Sequence, residues 1–269
     1  MTSPATHPGA PIPLATLPNL RSLGGWVTRD GRRVRDGVLF RSTDLSRVAG
    51  EDLETLLGLG IRTVVDLRTE PERAQRPDVA LPGVQQVTLD VLADDTDATP
   101  ADMVTLLEQP ARVQAVLGNG QAEALLSQAY RQLVALPSAR DAYRTFFSDL
   151  LQPERGPVLF HCTTGKDRTG WAAATTLLML GVPEEDVMRE YLLTNDQLLP
   201  SLQPVFDEFS AHGGDPDLLR PLLGVRESYL ETSLDQARTQ YGDLGSYFAT
   251  GLGMDRDRQA ALRDLLTVP

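Results

Sequence analysis

The chain has 269 residues, of which 41% are hydrophobic, and a formal net charge of −12. This length allows one large domain or two small ones, and the composition is that of an ordinary globular protein. The negative charge argues against general nucleic-acid binding and against docking on an anionic membrane, while leaving room for a local basic pocket that binds anions.

Residues 1–16, rich in Pro, Ala and Thr, predict a flexible tail. They contain neither a basic segment nor a continuous apolar core, so no signal peptide is predicted. No apolar run in the chain approaches the roughly 20 residues of a membrane span. We therefore expect a cytoplasmic protein that is not an integral membrane protein, with export by a route independent of a signal peptide left open.

The stretch NLRSLGGWVTRDGRRVRDGVLFRSTDL alternates apolar residues with glycine turns, which predicts short antiparallel strands. EDLETLLGLG predicts a short helix, and IRTVVDLR and VQQVTLDVL predict two strands. The acidic segment from Asp94 to about Pro110 lacks the glycine and glutamate spacing of an EF-hand, so we expect a solvated loop without a metal.

Helical periodicity returns over residues 121–136 and 143–151, followed by a strand at VLFH. A helix is predicted from Arg168 to Leu180, another at PEEDVMREYLLTN, and further helices after Glu227. Strands that alternate with helices predict an α/β domain over residues 17–269, with a mostly parallel sheet flanked by helices. Residues 198–225 contain four prolines and short apolar helical stretches, which is typical of a semi-independent flap.

The stretch HCTTGKDRTG contains the only cysteine, between a predicted strand and a predicted helix. Such a loop directs backbone N–H groups and the positive end of the helix dipole at one point, which favours an anion. That position, with Lys166 and Arg168 beside Cys162, favours a nucleophilic thiolate. Arg168 follows six residues later, and its planar guanidinium can hold two oxygens of a phosphate. An inert buried cysteine is the alternative, disfavoured by the polar neighbours.

The loop residues divide into predicted roles in phosphoryl transfer. Cys162 attacks phosphorus, Asp167 supplies the proton for the leaving oxygen, and the Thr169 hydroxyl donates to the cysteine sulfur. Asp90, at the end of a predicted strand, is a rival acid. No metal or cofactor is expected. The residues predicted to bind phosphate are Thr163, Thr164, Gly165, Lys166 and Arg168.

HCTTGKDRTG resembles the signature of the protein tyrosine phosphatase superfamily, His-Cys-x5-Arg-Ser/Thr. The match gives His161 a supporting role before the nucleophile. The complete string is similar to the atypical bacterial branch with Gly-Lys-Asp-Arg, the mycobacterial tyrosine phosphatase B type. NLRSLGG, GVLFRSTDL, VVDLRTEPE and YLLTN are similar to that branch too, so the resemblance covers roughly residues 17–266.

The resemblance implies a tyrosine-phosphatase-like fold with Cys162 as nucleophile and Arg168 as phosphate ligand. It implies that Asp167 replaces the acid that most tyrosine phosphatases carry on a separate mobile loop. Lys166 adds a charge that phosphoinositide phosphatases also have, whereas Thr163 departs from the basic residue found there in their animal form. The branch often has a helical lid, for which residues 198–225 are the candidate.

We therefore expect a metal-independent protein-tyrosine phosphatase, with phosphotyrosyl proteins as main substrates and phosphoserine, phosphothreonine and phosphoinositides as further candidates. A rhodanese-like sulfurtransferase is one alternative, because that class also places a cysteine in an anion-binding loop. A catalytically silent phosphoprotein-binding module is another. No nucleic-acid partner is expected.

Four residues outside the loop receive weaker predictions. Arg41, Arg68 and Glu72 are candidates for the rim of the pocket, although the favoured interpretation pairs Arg68 with Glu72 four positions away. Asn195 is either a site residue or a helix C-cap.

Overall fold

The computed structural model describes residues 7–95 and 110–269. The strands are β1 (Arg21–Ser22), β2 (Arg33–Val34), β3 (Leu39–Ser42), β4 (Thr63–Asp66), β5 (Gln85–Thr88), β6 (Val158–His161) and β7 (Thr267–Val268). Five of them form a central sheet in the order β1-β3-β6-β4-β5, in which only β1 runs antiparallel to its neighbour. β2 pairs antiparallel with β7, so one of the last strands of the chain lies beside one of its first.

The helices of the described residues include short single-turn elements as well as long ones. Their bounds are α1 (Gly50–Gly58), α2 (Glu70–Gln75), α3 (Pro110–Leu117), α4 (Gln121–Ala135), α5 (Pro137–Leu150), α6 (Asp167–Leu180), α7 (Glu184–Leu198), α8 (Gln203–Ala211), α9 (Arg220–Leu223), α10 (Glu227–Tyr241), α11 (Leu244–Ser246) and α12 (Arg256–Leu266). Over the described ranges, every helix is too short or too polar to cross a bilayer.

Alternation along the buried strands divides the core into two layers. Val64 and Leu159 point to the face covered by α1 and the N-terminal segment. Val65 and Phe160 point to the opposite face, where side chains of α4, α5, α6 and α10 pack into the larger core. Both faces of the parallel strands are thus covered, as parallel sheets require. The predicted α/β fold with a mostly parallel central sheet is confirmed.

The structure differs from the predicted flexible tail over residues 7–16. Leu14 is buried in the core layer beneath α1, and both the backbone N–H and the hydroxyl of Thr16 donate to Asp52 at 2.7 Å. The apolar side chains of this segment cover one face of the sheet, which offsets the entropy cost of ordering it. Residues 1–6 lie outside the described residues.

Most of the flap region, from Leu199 to Leu223, consists of α8, α9 and single 3₁₀ turns. Its apolar side chains form a small separate core with Val113 of α3, through Phe206, Phe209, Leu219 and Leu223. The Asn195 side chain donates to the Val225 carbonyl at 2.9 Å and accepts from its N–H at 2.8 Å. Asn195 therefore fixes the C-terminal end of the flap to α7 rather than capping its own helix. The predicted acidic loop lies mostly within residues 96–109, outside the described residues.

Candidate active site

The cysteine loop, residues 162–166, connects the middle strand of the sheet to a long helix. β6 ends at His161 and α6 begins at Asp167. β3 and β4 flank β6 in parallel, so their C-terminal ends meet at this edge of the sheet. Cys162 is 1% exposed. The thiol thus lies where the C-terminal sheet edge meets the start of α6, the arrangement predicted from the sequence.

Gly165 adopts a conformation that no other residue type fits. Its φ is +64°, and a Cβ atom would lie 2.1 Å from the carbonyl oxygen of Ser42. A side chain there would have both left-handed strain and a backbone clash. The Gly165 carbonyl accepts from Arg41 Nη2 at 2.7 Å and from Asn19 Nδ2 at 3.1 Å. Because a trans peptide points its N–H opposite its carbonyl, the N–H of Lys166 is directed away from these donors.

The two preceding carbonyls of the loop are held in the same way. Asn19 also donates to the Thr164 carbonyl at 3.3 Å, and the Asp44 N–H donates to the Thr163 carbonyl at 3.2 Å. With these carbonyls engaged, the N–H groups of Thr164 and Gly165 face the opposite side of the loop. Successive N–H groups turned to one side form a nest for an anion.

A buried ion cluster supports the loop from below. Glu190 of α7 accepts from Arg21 Nε at 2.8 Å and from Arg41 Nη1 at 2.7 Å, and all three side chains are at most 1% exposed. Burial and the neighbouring Arg41 lower the pKa of Arg21 to about 10, partly offset by Glu190. Burial disfavours the Glu190 carboxylate, but the two arginines hold its pKa below the ordinary value. Arg41, predicted at the pocket rim, lies beneath the loop instead.

Arg168 is oriented by a carboxylate from α2. Its Nη1 and Nη2 donate to the two carboxylate oxygens of Glu72 at 2.6 and 2.7 Å. The Thr163 hydroxyl donates to the same carboxylate at 2.5 Å. Burial alone would raise the pKa of Glu72, but the bonds and charge of Arg168 hold it well below its usual value. Within the described residues, Arg168 Nε has no hydrogen-bond partner, so that edge of the guanidinium can bind another anion.

The predicted pairing of Arg68 with Glu72 is wrong. Arg68 instead lies against Asp66, with Nε and Nη2 donating at 2.9 and 2.7 Å, and its Nη2 is 2.9 Å from Asp78. Arg68 precedes the first residue of α2, so the two side chains never share a helix face. Glu72 is left to Arg168.

His161 is buried next to Cys162. Its Nε2 is 3.1 Å from Asp78, and its Nδ1 lies 3.3 Å from the Cys162 carbonyl oxygen. His161, Asp66 and Asp78 form an arrangement that would suit a metal ion. Arg68, however, already supplies the positive charge between the two aspartates, so the donor set does not fit a cation.

Asp167 occupies the first position of α6. Lys166 Nζ donates to Asp167 Oδ1 at 2.8 Å, and the Tyr130 hydroxyl of α4 donates to the same oxygen at 2.7 Å. Asp90, the rival acid, is engaged elsewhere: its carboxylate accepts the backbone N–H groups of Glu70 and Leu92. The Thr169 hydroxyl is buried, and among the described residues it has no hydrogen-bond partner, the cysteine sulfur included.

Several side chains of this site were not predicted. Asn19, Arg21 and Glu190 lie within the family-like stretches NLRSLGG and the helix before YLLTN, so the motif strings were a usable signal. No sequence signal pointed to Tyr130. It lies within a segment of helical periodicity, and only tertiary packing brings it to Asp167.

A family model described as the tyrosine phosphatase family matches residues 12–268. The chain belongs to the tyrosine phosphatase family. A protein of Cupriavidus necator named as a tyrosine-protein phosphatase is 32% identical over 252 residues, which cover 89% of this chain and 83% of the relative. The triple specificity protein phosphatase PtpB of Mycobacterium tuberculosis is 31% identical over 252 residues, covering 83% of this chain and 90% of PtpB.

The predicted membership of the tyrosine phosphatase superfamily, in its atypical bacterial branch, is therefore confirmed. The enzyme class predicted from the cysteine loop is confirmed at the level of this family.

Proposed function

We propose that this phosphatase hydrolyses phosphate monoesters without a metal, through a covalent phosphocysteine on Cys162. The observation that carries the proposal is the loop itself. Three consecutive carbonyls are bonded away from its centre, so the N–H groups of Thr164, Gly165 and Lys166 are left for an anion beside the thiol. Arg168 offers its free Nε edge to the same anion.

In the first step, the Cys162 thiolate attacks phosphorus in line with the ester oxygen. The S–P bond forms as the P–O bond breaks, and Asp167 gives its proton to the departing oxygen. The loop N–H groups and Arg168 stabilise the equatorial oxygens. The products of this step are the free alcohol, phosphocysteine and the Asp167 carboxylate.

In the second step, water attacks the phosphocysteine. Asp167, now ionised, takes a proton from the water as the S–P bond breaks, which regenerates the thiolate and releases inorganic phosphate. Thr169 has a buried hydroxyl free to turn toward the leaving sulfur. Asp167 is the better acid than Asp90, whose two oxygens are committed to backbone N–H groups.

Phosphotyrosyl proteins are the proposed main substrates, with phosphoserine, phosphothreonine and phosphoinositides as further classes. The likeness to PtpB, whose name states triple specificity, supports this breadth. Lys166 is 5% exposed and bound to Asp167, so its charge acts chiefly through that carboxylate rather than as a free ligand. Residues 198–225 are the proposed lid, with Asn195 at its C-terminal attachment.

The test is phosphate release from a phosphotyrosyl peptide in EDTA, comparing the wild type with Cys162→Ser. We expect full wild-type activity in EDTA and a loss of at least about 10³-fold in the variant, because serine is a far weaker nucleophile than a thiolate. Inorganic phosphate should still raise the melting temperature of the variant. Substantial turnover by Cys162→Ser would contradict the nucleophile, and loss of activity in EDTA would contradict the metal-free reaction.

A further inference from the structure

The two carboxylate oxygens of Asp167 have different surroundings. Oδ1 accepts two hydrogen bonds, from Lys166 Nζ and from the Tyr130 hydroxyl. Oδ2 has no hydrogen-bond partner within the part of the chain that the structure describes. A carboxyl group whose one oxygen is saturated by donors can hold a proton only on the other oxygen. The asymmetry therefore decides which oxygen carries the proton.

Tyr130 is the more rigid of the two donors. It lies on α4 and is fully buried, and its ring packs at 81° against Tyr191 of α7, with centroids 6.4 Å apart. Its hydroxyl is also 2.6 Å from the Tyr191 hydroxyl. Since Tyr130 donates to Asp167, its oxygen accepts the Tyr191 proton, and the two phenols form a chain that ends on Oδ1.

Both phenols remain donors over the working pH range. Burial, reinforced by the nearby Asp167 carboxylate, raises the pKa of Tyr130 and of Tyr191 well above the ordinary value. Lys166 is also nearly buried, but its ammonium lies at the end of a four-carbon stem, which has more rotatable bonds than a tyrosine side chain. Consecutive hydrogen bonds polarise one another, so Tyr191 strengthens the bond that Tyr130 makes.

We propose that Tyr130, backed by Tyr191, is a positioning residue that holds Asp167 through Oδ1 and thereby presents Oδ2 as the proton-carrying oxygen. The inference rests on the proposed function, because it requires Asp167 to be the acid. It adds two residues from α4 and α7 that belong to neither the cysteine loop nor the phosphate site. Their removal impairs protonation of the leaving oxygen and spares the attack by sulfur.

The experiment compares Tyr130→Phe with the wild type on two substrates, phenyl phosphate and p-nitrophenyl phosphate. Phenol is the poorer leaving group, so its departure depends more on the acid. We expect kcat/KM, which does not depend on hydrolysis of the shared phosphocysteine, to fall about 10-fold with phenyl phosphate and less than about 2-fold with p-nitrophenyl phosphate, a fraction of what general acids contribute. Tyr191→Phe should give the same pattern with a loss of about 3-fold. Should Tyr130→Phe not fold, Tyr191→Phe supplies the comparison.

Tyr247→Phe is the matched control. Tyr247 is also fully buried, and its hydroxyl accepts from Trp171 Nε1 at 3.1 Å rather than contacting the loop. We expect equal, small effects of this variant on both substrates. Losses of equal size on both substrates with Tyr130→Phe, or no loss at all, would overturn the inference.

Asp167→Asn separates the inference from the proposed function. If this variant affects both substrates equally, the acid assignment fails, and the inference fails with it. If it selectively slows phenyl phosphate while Tyr130→Phe does not, only the inference fails. In a protein that already carries Asp167→Asn, adding Tyr130→Phe should cause no further loss of activity, because the effect of Tyr130 passes through Asp167. Additive losses would mean that Tyr130 acts by another route.

Discussion

At the scale of single residues, Glu72 holds Arg168 and Thr163 in one hydrogen-bonded group. Thr69 and Glu72 also form a capping box at the start of α2, so the carboxylate is fixed from its own helix. Glu72 therefore holds Nη1 and Nη2 of Arg168, and in the proposed function the Nε edge is the one that binds the substrate phosphate.

We predict that Glu72→Gln lowers the free energy of unfolding by about 1.5–3 kcal/mol at pH 7, the usual contribution of a hydrogen bond to a charged group. The folded-state pKa of Glu72 lies below the unfolded value near 4.5, so its stabilisation is complete above that pH. It is lost as the pH falls toward the folded pKa. Urea unfolding between pH 7 and pH 3 should show the two proteins converging only in acid. A pH-independent difference would contradict this.

The predicted ion pair between Arg68 and Glu72 was wrong because of the local backbone. A spacing of four residues brings side chains together only inside a helix, and α2 begins at Glu70, after Arg68. Cys162 and Arg168 were predictable because a strand, a loop of fixed length and a helix place them without tertiary information. Tyr130 and Glu72 reach the loop only through tertiary packing, which a local pattern does not encode.

At the scale of elements, Glu190 joins α7 to β1 and β3 through its two arginines. Arg41 also donates a hydrogen bond to the Gly165 carbonyl. The shape of the cysteine loop therefore depends on a helix that lies later in the chain. The sequence predicted α7 and its acidic first turn correctly. It could not show that one glutamate on this helix is buried, because periodicity does not identify the partners of a polar residue.

We predict that Glu190→Gln lowers the free energy of unfolding by about 3–5 kcal/mol, because it leaves two buried arginines without a counter-charge. Glu184→Gln is the matched control on the same helix, since Glu184 makes an exposed ion pair with Arg238. That control should cost less than about 1 kcal/mol. Urea titration of both variants is the measurement, and similar losses would contradict a buried charge cluster.

At the scale of the whole molecule, the net charge of −12 matters for the proposed substrates, because a negatively charged protein repels a phosphate dianion. The field of the whole chain opposes the approach of acidic substrates, while the loop N–H groups and Arg168 act only at short range. Peptides with basic residues around the phosphate should therefore arrive faster than acidic ones.

We predict opposite salt dependences for two phosphotyrosyl peptides, one with acidic and one with basic flanks. The Debye length falls from about 30 Å at 0.01 M salt to about 10 Å at 0.1 M, which screens the long-range field. Over this range kcat/KM should rise for the acidic peptide and fall for the basic one. A neutral-flanked peptide is the control, and parallel curves for all three would rule out steering.

The lone cysteine has a practical consequence for spectroscopy. Replacing Cys162 by serine leaves a chain without any thiol. A single new cysteine introduced on α8 would then carry a spin label or fluorophore at one known site. A second on α1 would complete a distance pair. Distances measured with and without inorganic phosphate would then come from one labelled chain.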